Sequence, residues 1–128
     1  MLTEEEKKFF INTALGVCRL SKCPIQQGAV LIRGSRILSH GFNRKIIADK
    51  EWEISAIYDA IFSARDSDLT GTDLFSTYFP SLEEMKLIIA VGIKTFRFLG
   101  KITHPETVQL LNSLPGPPKS IEIIKIGD

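Results

Sequence analysis

The stretch TDLFSTYFPSLEEMKLIIAVGIKTFRFLG, residues 72–100, decides the fold. TDLFSTYF has the apolar and aromatic content of a strand, Pro80 and Ser81 open a helix that runs to Val91, and IKTFRFLG is a second strand. Two strands joined by a helix lie parallel in one sheet, with the helix crossing one face by a right-handed connection. Upstream, GAVLIRGSRILSHGFN is two short apolar runs separated by Arg33, Gly34 and Ser35, which predicts a tight hairpin with strands at 28–33 and 36–42. Between hairpin and crossover, Ile54, Ile57, Ile61 and Phe62 recur at helical spacing and predict a helix from Glu53 to about Ala64. Farther out, Thr3 and Glu6 form a capping box ahead of a stripe of Phe9, Phe10, Ala14, Val17 and Cys18, a helix ending near Leu20. Residues 105–113 predict a short helix with Pro105 in its first turn, PGPP at 115–118 a loop, and SIEIIKI a last strand. The order α-β-β-α-β-α-β-α-β implies a mixed five-stranded sheet covered by helices, and 128 residues without internal repeats suit a single domain.

The whole-chain composition removes several functions. Hydrophobic residues make up 44% and charged ones 24%, and the net charge of +1 leaves no basic footprint for sequence-independent nucleic-acid binding. No apolar run approaches a membrane span or a signal-peptide core, and the first helix is densely charged, so a cytoplasmic protein is expected. Cys18 and Cys23, five apart, suit core or loop thiols better than a bridge in that setting. His40 and His104 are most simply surface or packing residues.

Three stretches in order resemble the zinc-dependent cytidine deaminase superfamily, most closely its deoxycytidylate deaminase branch. SKCPIQQGAVLIRGSRILSHGFN is similar to the family's opening loop and hairpin, with Gly-aromatic-Asn at the hairpin end. EWEISAIYDAI stands where the family has His-Ala-Glu followed by a helix. LTGTDLFSTYFPSLEEMKLIIAVGIKTFRFL resembles its strand, Pro-Cys-x-x-Cys loop, helix and next strand. The resemblance implies a three-layer α/β/α fold around the five-stranded sheet. In that family one histidine and two cysteines hold zinc with an open position for water, and a glutamate that is not a ligand moves the protons.

Carried onto this chain, the histidine position falls on Glu51, the proton-shuttle position on Glu53 and the cysteine positions on Ser81 and Glu84. All three ligand types differ, so zinc is expected to be absent, no catalytic residue is expected, and Glu53 would act only if the site were active. Hard oxygens at Glu51, Ser81 and Glu84 suit magnesium, manganese or calcium better than zinc, but neutral serine is a poor ligand and no metal or other cofactor is expected. The acidic groups at 51, 53 and 84 are expected to converge, with raised pKa values or a lysine partner. The candidate ligand pocket comprises Ala29, Asn43, Trp52, Glu53 and Pro80, with the Trp52 indole expected to fill it. Each has a plainer reading beside the functional one. Asn43 suits a turn, Glu53 suits a helix start, and Ser81 suits a helix cap.

Three functions follow from the resemblance. The favoured one is a catalytically inactive deaminase-fold protein serving as a binding or assembly module, a homo-oligomer or a hetero-oligomer with an active relative. The others are an active cytidylate or nucleoside deaminase with an unusual site, and a nucleotide sensor without turnover. An exposed apolar surface on the 53–64 or 80–91 helix would favour assembly, and a deep polar pocket near Asn43 and Glu53 would favour a ligand.

Overall fold

Thr3 Oγ1 accepts the Glu6 amide at 3.0 Å and the Glu6 carboxylate accepts the Thr3 amide at 2.9 Å, closing the expected capping box. This opens α1, Glu4–Cys18. The computed structural model describes residues 2–47, 52–66, 68–114 and 121–126. Glu51 and the PGPP segment lie outside them. The buried stripe of α1 is Phe10, Ile11, Ala14 and Val17. Phe9 belongs to the next row and stands exposed, its ring edge against Phe10.

The hairpin is β1, Gly28–Arg33, and β2, Arg36–Phe42, with the bounds that the apolar runs imply. β1 lies at the heart of the sheet, antiparallel to β2 on one side and to β5, Asp73–Ser76, on the other. Parallel to β5 run β6, Thr95–Phe98, and β7, Glu122–Lys125, giving the order β2-β1-β5-β6-β7. The crossover helices are α3, Leu82–Ala90, and α4, Pro105–Asn112.

A second, two-stranded sheet was not predicted. Residues Arg44–Lys45 (β3) pair antiparallel with Glu53–Ile54 (β4). The helix expected from Glu53 therefore starts later, as α2, Ala56–Ser63, with Ser55 as its cap. Serine at that position offers an oxygen to the free amides of the first turn, whereas Glu53 and Ile54 find partners in β3. Ile57 and Ile61 are buried as expected, but Phe62 is 66% exposed.

Helices on both faces make three layers. On one, α1 packs over Val30, Ile32 and Phe75. On the other, α2 and α3 bury Ala56, Ile57, Ala60, Ile61, Met85 and Ile88 against Ala29, Leu31, Leu74, Phe96 and Phe98. Two glycines bring the helices this close. A Cβ on Gly28 would stand 2.2 Å from the Ala14 carbonyl oxygen, and one on Gly41 would stand 2.4 Å from the Ala56 carbonyl oxygen and the Ala60 nitrogen. No helix among the described residues is long and apolar enough to cross a membrane.

Candidate functional site at the starts of α2 and α3

The candidate site forms where β5 ends and two helices begin. At the end of β5 the chain bends back on itself. Ser76 Oγ accepts the Tyr78 amide at 3.1 Å and donates to the Tyr78 carbonyl at 3.0 Å. Thr77 Oγ1 accepts the Gly28 amide at 3.0 Å, which ties this bend to the start of β1. The Tyr78 side chain thereby reaches the helix starts. Its hydroxyl donates to Glu84 Oε2 and accepts the Ile57 amide at 3.2 Å, so one phenol joins the first turn of α3 to the first turn of α2. Burial, and then the negative charge of Glu84, push the Tyr78 phenol far above its ordinary range.

Ser81 and Glu84 are engaged with each other as well. The Ser81 hydroxyl accepts the Glu84 amide at 3.3 Å, and Glu84 Oε1 accepts the Ser81 amide at 2.9 Å. This is a capping box, so the plainer reading of Ser81 holds. Glu84 is only 4% exposed, with both carboxylate oxygens occupied. Its partners are a phenol and an amide, and not the lysine that was one of the two expectations.

The start of α2 is closed in the same way. Gln27 Oε1 accepts the Ala56 amide at 3.3 Å, Tyr78 takes Ile57, and Ser55 Oγ takes Tyr58 at 3.3 Å. These are amides that a helix start could otherwise offer to an anionic ligand, and the chain's own side chains hold them.

Asn43 is buried and its amide group is fully directed. Oδ1 accepts the Gln27 amide at 2.8 Å, and Nδ2 donates to the Ile25 carbonyl at 2.6 Å and to Glu53 Oε1 at 3.2 Å. Asn43 and Glu53 thus meet, as the candidate pocket requires, but Glu53 is an exposed residue of β4 and not part of a helix start. Cys23 Sγ lies 3.7 Å from the Asn43 carbonyl oxygen, and both cysteines are free. Below this cluster, Asp59 accepts the Phe42 amide at 3.2 Å and pairs with Arg44 at 2.9 Å, fastening the end of β2 to α2.

Of the other predicted site residues, Ala29 is buried in β1 and Pro80 is buried ahead of α3, its carbonyl accepting Thr107 Oγ1 at 3.0 Å. Trp52 corrects an expectation. It is 64% exposed, just ahead of β4, where its carbonyl accepts the Ile46 amide at 3.0 Å, and it lies in solvent where a filled pocket was expected. Glu51 lies outside the described residues. Among the described residues no group of three His, Cys, Asp or Glu side chains is placed to hold an ion. His40 is exposed on β2, and His104 is partly exposed ahead of α4. Tyr78, Gln27 and Ser55 were absent from the predicted site. Only Tyr78 carried a signal: a tyrosine two residues before the loop proline, whose hydroxyl needs a partner when buried.

No family model matches the sequence, and no curated protein matches it. Solved structures do match. The dCMP deaminase of the cyanophage S-TIM5 superposes with a TM-score of 0.81 in its apo form and 0.83 in complex with dCMP and dUMP. Identity is 22%, and the match covers 98% of this chain and 100% of that one. The fold is cytidine-deaminase-like. A tRNA:A34 deaminase has the same deaminase-like fold at a TM-score of 0.70 and 18% identity, over 94% of this chain and 99% of its own. The diaminohydroxyphosphoribosylaminopyrimidine deaminase-reductase of Thermotoga maritima matches at 0.67 and 23% identity, over 94% of this chain and 36% of its own.

Proposed function

We propose that the chain is a deaminase-fold protein that does not deaminate and serves as an assembly or binding module. The observation that carries this reading is the Tyr78 hydroxyl, held between Glu84 and the Ile57 amide where the resemblance would put a metal between two helix starts. Ser81 and Glu84, at the two cysteine positions, do not fit zinc. Serine is a neutral oxygen donor already bonded to an amide, and both Glu84 oxygens are engaged. A carboxylate such as Glu53 without a metal is a weak activator of water, and the charge stabilisation of the missing ion is not replaced.

The exposed Phe62 on α2 and Trp52 just ahead of it favour assembly, and the use of Asn43 Nδ2 on Ile25 and Glu53 argues against its donating to a nucleoside. Elemental analysis of untagged protein purified without chelators tests the reading, together with incubation of that protein with dCMP. The expected result is no stoichiometric zinc and no dUMP. Stoichiometric zinc, or turnover that disappears in Glu53→Gln, overturns it. Thermal stabilisation by dCMP without product would move the assignment to a nucleotide sensor.

A further inference from the structure

On the sheet face opposite this site, α1 packs over β1, β2 and β5. Beside it a groove of about 710 Å³ runs along β6 and β7. Its apolar lining comes from Ile11 and Leu15 of α1, from Leu99, and from Ile124 and Ile126. The volume is that of a small-molecule site.

Among these apolar residues lies Arg97, at the middle of β6. Its side chain is only 10% exposed, and its guanidinium stands over the Phe75 ring at 5.2 Å. Nε and Nη1 are buried without a hydrogen-bond partner among the described residues. Asp73 Oδ1 is 3.7 Å from Nη1, close enough to offset charge but beyond hydrogen-bond reach. Buried donors on a charged group are almost always bonded, and leaving them open is costly. The groove rim is of mixed charge, with Lys7 paired with Glu4 at 3.2 Å and Glu5, Lys8 and Lys125 beside them. The charge preference comes from Arg97, whose planar fork matches a carboxylate.

We propose that this groove binds a small amphipathic monoanion, an apolar body ending in one carboxylate, with Arg97 bonding the carboxylate and α1 and β7 covering the body. Asp73 already supplies one negative charge, which favours a monocarboxylate over a doubly charged phosphate. The site does not depend on what happens at Tyr78.

Titration of the intact protein with octanoate, followed by calorimetry and by backbone amide shifts, tests it. Saturable binding is expected, with shifts concentrated in β6, β7 and the facing residues of α1. Neutral 1-octanol and apolar-free acetate should bind at least about tenfold more weakly, because each lacks half of the recognition. Arg97→Met should weaken octanoate by at least about tenfold while leaving 1-octanol unchanged. Asn12→Trp, at an exposed position that lines the groove, should block both without touching the core, and it decides the matter if Arg97→Met fails to fold. Absence of saturable octanoate binding, equal binding of 1-octanol, or octanoate binding that survives Asn12→Trp overturns the proposal.

Discussion

Tyr78 is where a single hydroxyl does the most. It is at once donor to Glu84 and acceptor from Ile57, so removing it orphans a buried carboxylate oxygen and a helix-start amide together. Tyr78→Phe should therefore lower stability by about 1–3 kcal/mol in urea unfolding. The same residue sets an alkaline limit. The folded state holds the phenolic proton above the range where the unfolded tyrosine loses it, near about 10. The stabilisation is complete below that range and falls as pH rises through it, since the unfolded chain then releases a proton that the folded one keeps. Tyr58, the only other tyrosine, is raised in the same direction, by burial first and then by Glu84 and Glu83. Wild type should lose stability with pH more steeply than Tyr78→Phe in this range, and parallel curves would show that the proton is not held at Tyr78. Ser81 as a cap and Asn43 at a strand end were legible in the sequence because each acts on local backbone. The Tyr78 tie was not, because its partners lie six residues ahead and twenty-one behind in the chain and meet only in the fold.

At the level of elements, the sequence showed the hairpin to the residue, because two apolar runs and the Gly34-Ser35 turn between them define it locally. It misplaced the start of α2, because a two-residue ladder such as β3–β4 has no period to read and Glu53 and Ile54 are acceptable in a helix. Ser55 makes the boundary. Ser55→Ala should cost about 1 kcal/mol of stability by thermal or urea unfolding, the ordinary loss of a cap. If the helix began at Glu53 instead, the substitution would be nearly neutral, as alanine favours a helix interior. Gly41→Ala addresses the packing of the same helix. Its Cβ would lie 2.4 Å from α2 backbone that cannot yield as a side-chain tip would, so α2 must shift from the sheet. A loss of about 1–3 kcal/mol or more is expected, and a stability unchanged from wild type would refute the close approach of α2 to β2.

For the whole molecule, a mixed five-stranded sheet covered by helices could be read from alternation and from the parallel crossover, while the order of its strands could not. Which apolar residues remain outside could not, because a 3.6-residue stripe fixes a helix face only to within a neighbouring row. Phe9 and Phe62 were assigned inward and stand in solvent. Trp52 is displaced outward with the small sheet, where Ile46 donates its amide to the Trp52 carbonyl at 3.0 Å and is itself exposed. An exposed tryptophan beside an exposed isoleucine is costly on a protein that stays monomeric, and aromatic anchors carry much of the energy of protein contacts. The assembly reading thus makes a demand on this surface. Sedimentation velocity should find wild type larger than one chain, and Trp52→Glu should shift it toward the monomer while circular dichroism and unfolding temperature stay near wild type. The unchanged fold follows from the exposure of the side chain, and the dissociation from burying a charge in a contact that has no partner for it. A wild type that remains monomeric across the accessible concentration range would leave this surface without that role and shift the search to partners of another sequence.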